Sequence, residues 1–280
     1  MDEQKRVLAV HDLCCVGKCS LTAAIPILSA AGVEACAMPT AIFSTHTAFP
    51  SFTFLDLTDE LLKMANEVKK QGLHFDAIYT GYLGTSAQAA IVKEIIALFR
   101  EQGTLVVVDP VMADNGVLYK HLTPDFPQEM LSLSAEADII TPNVTEAALM
   151  LGKPYMEPPQ SEEYIRSLLV ELNEKTGASV VLTSICLHEG DIGCTCYDNK
   201  TGSIHFTVQP KEPSSYHGTG DIFASVLCSA LVKGSDLAHA IDSSALFVKD
   251  AIRITEEHPS LWYGIQFEDL LFSLPDRISK

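Results

Sequence analysis

Short apolar runs rich in β-branched residues alternate along this chain with longer amphipathic segments, and this alternation limits the possible folds more than any other feature. The runs lie at residues 7–10, 77–80, 105–108, 138–140 and 180–182. Continuous apolar runs of this kind are typical of strands buried on both faces of a parallel sheet. Between them, residues 57–70, 87–101 and 162–175 repeat apolar positions at helical spacing. The order predicts an α/β fold with a central, mostly parallel sheet and helices on both faces.

Two segments depart from this alternation. Residues 193–208 alternate polar and apolar side chains around a turn at residues 198–202, which predicts an antiparallel hairpin that extends the sheet. The last third of the chain is helical in pattern, over residues 221–233, 236–257 and 267–274. No Pro/Gly/Ser-rich linker, internal repeat or low-complexity tract interrupts the chain, so residues 1–280 are predicted to form one domain.

The charge balance excludes several classes of function. The chain has 36 acidic and 19 basic residues, a net charge of -17 with histidine neutral. Such a surface repels phosphate backbones and anionic lipid headgroups, so neither a nucleic-acid nor a membrane partner is expected. A site for an anionic ligand must then be built locally, from backbone amides, metal ions or a few placed cations.

Targeting and cysteine patterns predict a soluble, cytoplasmic protein. The charged first six residues lead into a short apolar run without the apolar core of a signal peptide. The most apolar longer window, residues 21–43, is interrupted by Pro26, Gly32, Glu34 and Pro39, so it is not predicted to span a membrane. The eight cysteines show neither paired spacing nor a histidine cluster suited to zinc, which favours reduced thiols.

The strongest local motif is Gly218-Thr219-Gly220-Asp221, directly before an apolar helical window. Glycines let the backbone turn sharply and approach a ligand, and the amides that begin a helix face an arriving anion such as a phosphoryl group. Asp221 equally fits a structural role, because carboxylates are favoured in the first turn of a helix. The tetrapeptide alone leaves both roles open.

Five segments together resemble a known family. They are Phe43-Ser44-Thr45-His46-Thr47, Gly81-Tyr82-Leu83-Gly84, Asp109-Pro110-Val111-Met112, Thr141-Pro142-Asn143 with Glu146, and Gly218 to Asp221. In this order, over nearly the whole chain, they resemble the pyridoxal kinase branch of the ribokinase superfamily. The third and fifth segments are shared with hydroxymethylpyrimidine kinases and, more loosely, with sugar kinases, whereas the first two look more like pyridoxal kinases. The resemblance implies a ribokinase-like fold and ATP-dependent phosphorylation of the 5′-hydroxymethyl group of pyridoxal, pyridoxine or pyridoxamine.

The resemblance also implies roles for the residues of the glycine-rich motif. Asp221 would be the catalytic base that takes the proton of the substrate hydroxymethyl group. Gly218, Thr219 and Gly220 would form the anion hole for the transferred phosphoryl group. These roles fit the chemistry, because the charge of a loose phosphoryl-transfer transition state lies on equatorial oxygens that aligned amides stabilise.

Oxygen-bearing side chains follow two consecutive predicted strands. Asp109, Thr141, Asn143 and Glu146 offer only hard oxygen ligands, which suit Mg²⁺ and a monovalent cation better than zinc. By resemblance, Asn143 and Glu146 would hold Mg²⁺ through its waters, and Asp109 and Thr141 would lie near a K⁺ site. The same residues also predict a helix over 144–151 whose start is capped by Asn143 and Glu146, and the two roles are compatible.

The phosphates of ATP would meet hydroxyl groups at the end of another predicted strand. Thr183 and Ser184 resemble the position at which these kinases contact ATP, and Asn143 would lie close to the same phosphates. A plain strand-to-loop turn at Thr183 and Ser184 is the structural alternative.

The vitamer ring would be held by polar and aromatic side chains that match the substrate segments of the family: Ser44, His46, Thr47 and Tyr82. A lone histidine is more often structural, and His46 gains its ligand assignment from the hydroxyl groups around it. Asp12 is a departure, because pyridoxal kinases usually place a serine after the first strand. A carboxylate there could pair with a protonated ring nitrogen or an amine substituent, which would favour pyridoxamine or another pyridine or pyrimidine.

Two other functions remain compatible with the sequence: a hydroxymethylpyrimidine kinase, and a non-catalytic vitamin-binding protein on the same fold. Gly17-Lys18 lacks the spacing of a phosphate-binding P-loop, and Gly81-x-x-Gly84 is no dinucleotide fingerprint. The resemblance further implies a homodimer in which the sheet extension around residues 37–43 covers an otherwise exposed edge.

Overall fold

A computed structural model of the protein describes residues 4–258 and 260–279; the first three residues of the predicted charged N-terminus lie outside the described residues. The strands are β1 (Arg6–Val16), β2 (Glu34–Thr45), β3 (Phe54–Asp56), β4 (Ala77–Thr80), β5 (Leu105–Val108), β6 (Ala113–Asp114), β7 (Val117–Leu118), β8 (Ile139–Ile140), β9 (Ser179–Ile185), β10 (Asp191–Asp198) and β11 (Ser203–Pro210). The helices are α1 (Ser20–Ala30), α2 (Thr58–Lys70), α3 (Ser86–Phe99), α4 (Phe126–Ser134), α5 (Val144–Leu151), α6 (Glu162–Thr176), α7 (Thr219–Val232), α8 (Leu237–Glu256) and α9 (Leu274–Ile278), with a 3-10 helix at Glu268–Ser273.

Nine of these strands form one sheet in the order β11-β10-β9-β8-β5-β4-β1-β2-β3. The six strands from β9 to β2 run parallel to their neighbours. The pairs β9–β10, β10–β11 and β2–β3 are antiparallel. The predicted α/β fold with a hairpin extension is confirmed, and the hairpin turns at the predicted residues between β10 and β11.

The sheet is covered on both faces because its central strands bury alternate side chains on opposite sides. Val10 and Ile78 pack with helices α2 to α6 on one face. Ala9 and Tyr79 pack with α1, α7, α8 and α9 on the other. This two-sided burial explains why the strands read as continuous apolar runs.

Two strands are longer than their apolar runs predict. β1 continues to Val16 through an irregular register between His11 and Leu13, so Asp12 lies within the strand and not after it. β2, with Pro39, was not predicted as a full strand. Its antiparallel neighbour β3 pairs only with residues 41–43, so the first part of β2 is a sheet edge, where proline is tolerated.

Other sequence expectations concern cysteines and membranes. All eight cysteines are free thiols. Within residues 4–258 and 260–279, no helix combines the length and apolar character that crossing a bilayer requires.

Candidate active site

Two adjoining cavities open where the parallel strands end. The first has a volume of about 610 Å³ and is bordered by Asp12, His46, Tyr82 and Asp221, among others. The second, about 520 Å³, is bordered by Tyr155, Lys211 and Lys249, among others. The two share a common wall: Asn143, Thr183, Ser184, Thr219 and Gly220. This arrangement suits two ligands that meet at the shared wall.

The start of α7 forms part of that wall and has the geometry of an anion site. Gly218 precedes the helix with φ +85°, and a Cβ atom there would lie 1.9 Å from the carbonyl oxygen of Lys18, so only glycine fits. Among the described residues, the amides of Thr219, Gly220 and Asp221 find no acceptor, whereas the next amide bonds back to Gly218 O at 3.0 Å. No side chain caps the helix, so these amides are available to a ligand.

Asp221 lies in the first turn of α7, half-buried at the wall of the first cavity. Burial, with a smaller contribution from the nearby charge of Asp12, raises the pKa of its carboxyl group to about 7 against the opposing effect of the Ser20 backbone amide. A carboxyl group with a pKa near neutrality is well matched to proton transfer at neutral pH.

A pH dependence of stability follows from the two raised carboxyl pKa values in the site. Burial raises the pKa of Glu146 to about 8 and that of Asp221 to about 7, both far above the values of an unfolded chain. The folded state therefore binds more protons than the unfolded state between about pH 4 and pH 8, and its stability falls as the pH rises through this range. The free energy of unfolding of the ligand-free protein, measured with urea, is expected to fall by on the order of 5 kcal/mol between pH 5.5 and 8.5. Stability that is constant or rising with pH would contradict these pKa values, and Asp221→Asn should flatten the profile.

Asp12 reaches the same cavity from β1. Its side chain is 4% exposed, and its Oδ1 atom accepts a hydrogen bond from Ser20 Oγ at 2.6 Å, while Oδ2 accepts one from Cys14 Sγ at 3.4 Å. Burial raises the pKa of this carboxyl group as well. The structure therefore places a shielded carboxyl group where the resemblance led us to expect a substrate contact.

The neighbouring His11 does not border either cavity. Its ring is the reason that position 81 requires glycine. Burial lowers the pKa of His11 to about 3, so its ring is neutral, and it packs edge-on against Tyr79 with ring centroids 4.3 Å apart. A Cβ atom at Gly81 would lie 2.2 Å from His11 Nδ1. The first glycine of the Gly-Tyr-Leu-Gly segment thus makes room for a histidine ring.

Gly81→Ala is expected to lower the free energy of unfolding by about 2 kcal/mol, because the added methyl group overlaps the buried ring. As a single change, His11→Ala should also lower the free energy of unfolding. In the double variant it removes the overlap, so the double variant should lose less free energy of unfolding than the sum of the two single changes. Urea unfolding of the three variants tests this. Strict additivity would show that the two positions do not interact.

The predicted ring contacts divide into those that face the cavity and one that does not. Thr47 and Tyr82 border the first cavity, and the Tyr82 hydroxyl group is hydrogen-bonded to His121 Nε2 at 2.5 Å. Ser44 does not border it: near the end of β2, its hydroxyl oxygen accepts the amide of Thr53, the residue before β3, at 2.9 Å. A direct contact of Ser44 with the ring is therefore not supported by its position.

His46 borders the cavity but has both ring nitrogens engaged within the chain. Nε2 lies 2.6 Å from the carbonyl oxygen of Tyr263, and Nδ1 accepts the Ala48 amide at 3.2 Å. Its ring stacks on that of His217, with centroids 4.9 Å apart. His46 can therefore offer a ligand its ring surface, while its nitrogens fix the loop.

The oxygen-bearing cluster borders the first cavity, and its Asn143 also belongs to the shared wall. Asn143 Oδ1 accepts the Glu146 amide at 2.9 Å and Glu146 Oε2 accepts the Asn143 amide at 2.8 Å, so the predicted capping box is confirmed and α5 has the predicted bounds. Glu146 Oε1 also accepts the Met112 amide at 3.0 Å. Burial, together with the charges of Glu146 and Asp221, raises the pKa of Asp109 well above its usual value.

These residues fit hard cations in type, although no group of three or more His, Cys, Asp or Glu side chains close enough to hold a metal ion occurs among the described residues. Thr141 lies near Asp109 and favours its charged form, but the geometry falls short of a hydrogen bond, and its buried Oγ1 has no other described partner. The Thr141 oxygen is thus buried without a hydrogen-bond partner and lies beside closely spaced carboxyl groups. Such a place is suited to binding a cation.

Thr183 and Ser184 border both cavities from the last residues of β9, which continues past the predicted strand end. Ser184 has φ +58°, and the Thr183 amide bonds to Pro142 O at 3.0 Å. The alternative prediction of a strand-to-loop turn at Thr183 and Ser184 is wrong, because both residues lie within β9, which ends at Ile185.

Residues of a short hairpin were missed by the sequence analysis. β6 and β7 are joined by Asn115 and Gly116, both with positive φ (50° and 76°), and Tyr119, Lys120 and His121 follow them at the edge of the first cavity. The Asn-Gly pair is a known hairpin signal that could have revealed this element.

Several known proteins are similar to this chain. Residues 18–264 match the phosphomethylpyrimidine kinase family. A solved structure of a putative phosphomethylpyrimidine kinase from Bacteroides thetaiotaomicron, in a crystal form with pyridoxal, is 40% identical, with a TM-score of 0.92 over 97% of this chain and 96% of that one. Pyridoxal kinase from Lactobacillus plantarum is 31% identical, with a TM-score of 0.87 over 97% of each chain. Pyridoxal kinase from Homo sapiens is 28% identical over 81% of this chain and 77% of its own.

Proposed function

Because this chain belongs to the phosphomethylpyrimidine kinase family, in the pyridoxal kinase branch of the ribokinase superfamily, we propose that it phosphorylates a B6 vitamer with ATP. The acceptor is the 5′-hydroxymethyl group of pyridoxal, pyridoxine or pyridoxamine. One observation carries the proposal: unpartnered amides at the start of α7 lie beside the Asp221 carboxyl group, on the wall that two cavities share.

The vitamer occupies the first cavity in this proposal, with its hydroxymethyl group at Asp221. The carboxylate orients the hydroxyl group and takes its proton as the oxygen attacks phosphorus. The amides of Thr219 and Gly220 stabilise the charge that develops on the transferred phosphoryl oxygens. These amides are effective because they are already oriented by the helix and need no rearrangement during the reaction.

ATP occupies the second cavity, with its phosphates reaching the shared wall. Thr183, Ser184 and Asn143 supply hydroxyl and amide donors there, and Lys211 and Lys249 add positive charge to an otherwise acidic protein. Asn143 and Glu146 would hold Mg²⁺ through its waters, and Asp109 and Thr141 would lie near a K⁺ site. Bound cations supply charge neutralisation at the phosphates, which this cluster of carboxyl groups alone cannot provide.

The exposed edge of the sheet supports a homodimer. Residues 41–43 of the predicted interface are paired with β3, so the edge at that end is β3 itself, where Phe54 is 61% exposed and Leu55 58% exposed. A short apolar edge strand of this kind is stabilised when a second copy covers it. Light scattering is expected to give the mass of two chains.

The proposed location of the protein is the cytoplasm.

The decisive assay compares ATP turnover on the three vitamers and on hydroxymethylpyrimidine, with the phosphorylated product identified by mass. We expect kcat/KM for the best vitamer to exceed that for the pyrimidine by about 10-fold or more, a difference that pocket contacts alone can produce. A preference for the pyrimidine would favour the thiamine-related kinase. Vitamer binding without ATP binding or turnover would favour a non-catalytic binding protein.

A further inference from the structure

Ser20, the first residue of α1, connects the acidic side chains of the first cavity. It is 5% exposed and borders the same cavity as Asp12 and Asp221. Its hydroxyl group donates the 2.6 Å hydrogen bond to Asp12 Oδ1, the shortest bond that the Asp12 side chain makes. Its backbone amide contacts the Asp221 carboxyl group.

The backbone of Ser20 is in an unusual conformation that keeps these two groups in place. Its φ angle is +49°, in the left-handed region that serine rarely adopts. Such a conformation costs free energy and persists where the surrounding structure determines it, which is common at functional sites. Here the preceding segment is confined: Lys18 O lies against Gly218, and a Cβ atom at Gly17 would lie 2.8 Å from the His46 ring.

We propose that Ser20 is a positioning residue of the phosphoryl transfer, which holds the carboxyl group of Asp12 at the wall of the first cavity, beside Asp221. The inference rests on the proposed function and deepens it, because it identifies what aims a substrate-facing carboxyl group. Without the hydroxyl group, the Asp12 carboxyl group keeps the weak Cys14 thiol donor and its own backbone amide, neither of which ties it to α1, and it can turn away from the ligand.

This arrangement separates two kinetic effects. The hydroxyl group acts on Asp12 and hence on the binding of the vitamer, whereas the Ser20 amide beside Asp221 survives any side-chain change. Ser20→Ala is therefore expected to raise KM for the vitamer by about 10-fold, the size of a hydrogen bond to a charged group, while kcat changes by less than about 3-fold.

A double-mutant cycle with Asp12→Ala shows whether Ser20 acts through Asp12. On the Asp12→Ala background, Ser20→Ala is expected to change KM by less than about 2-fold, because no carboxyl group is left for Ser20 to position. The matched control is Ser244→Ala, which removes a fully buried hydroxyl group that bonds only within α8, to Ala240 O at 2.7 Å. This control is expected to leave both constants unchanged. An equal rise in KM on both backgrounds, or no rise at all, would overturn the proposal.

A second variant keeps the test decisive if alanine destabilises the fold. Ser20→Gly also removes the hydroxyl group but accommodates φ +49° without strain, so we expect the same KM effect with a melting temperature above that of Ser20→Ala. A normal KM in Ser20→Gly would contradict the positioning role. If the wild-type protein phosphorylated no vitamer, the proposed function would fail by itself. Ser20 would then be tested by calorimetry with pyridoxal, in which unchanged affinity in Ser20→Ala would overturn the inference.

Discussion

Asp221→Asn is expected to lower kcat for the vitamer by about 100-fold or more, because asparagine cannot take the proton of the attacking hydroxyl group. The change is nearly isosteric, and the amide oxygen can keep the contact with the Ser20 backbone. Partial burial raises the pKa of the wild-type Asp221 carboxyl group to about 7, so removing its charge should not destabilise the fold at pH 8. Steady-state kinetics and thermal unfolding measure the two effects.

The matched control is Asp242→Asn, an exposed aspartate of α8 that pairs with His205 at 3.0 Å and borders neither cavity. Its kcat should equal that of the wild type, since surface pairs of this kind contribute little. If Asp221→Asn retained most of the wild-type kcat, Asp221 would not be the base. A large loss in both variants would point to a general effect of charge.

Gly218→Ala is expected to have an effect of similar size, for a steric reason. A Cβ atom at this position would lie 1.9 Å from Lys18 O, and φ +85° is unfavourable for alanine. The start of α7 must therefore move, and a displacement of about 1 Å at a reacting centre can cost 100-fold in rate. We expect kcat/KM to fall by about that factor, with a loss of roughly 3 kcal/mol in the free energy of unfolding.

Gly177→Ala separates backbone strain from steric overlap. Gly177 directly follows α6 with φ +74°, and a Cβ atom there would meet nothing within 4 Å. Gly177→Ala should lower the free energy of unfolding by only about 1 kcal/mol and leave kcat/KM unchanged. Equal behaviour of the two variants would mean that the contact between Gly218 and Lys18 O has no role in shaping the anion site.

Features encoded by neighbouring residues were predictable from the sequence. The bounds of α5 followed from a capping box and apolar spacing, both contained within a few residues. The strands β4 and β5 were likewise complete in their own apolar runs. Local patterns of this kind need no knowledge of the rest of the fold.

Features that depend on distant residues were not predictable. The requirement for glycine at position 81 comes from His11, seventy positions earlier, and that at position 218 from Lys18. Whether the Ser44 side chain faces the cavity depends on how β2 is placed in the sheet, which the local sequence does not determine. Because successive side chains on a strand point to opposite faces, Phe43 borders the cavity and Ser44 does not. The motif located the substrate segment but could not tell which of its side chains face the ligand.

A crystal structure with a non-hydrolysable ATP analogue and pyridoxal would show whether Asp221 and the start of α7 face the reacting groups. We expect the 5′-oxygen of the vitamer within about 3.2 Å of the Asp221 carboxyl group, with the γ-phosphate accepting bonds from the amides of Thr219 and Gly220. A vitamer bound with its hydroxymethyl group turned away from Asp221, or phosphates that bypass the start of α7, would contradict this expectation.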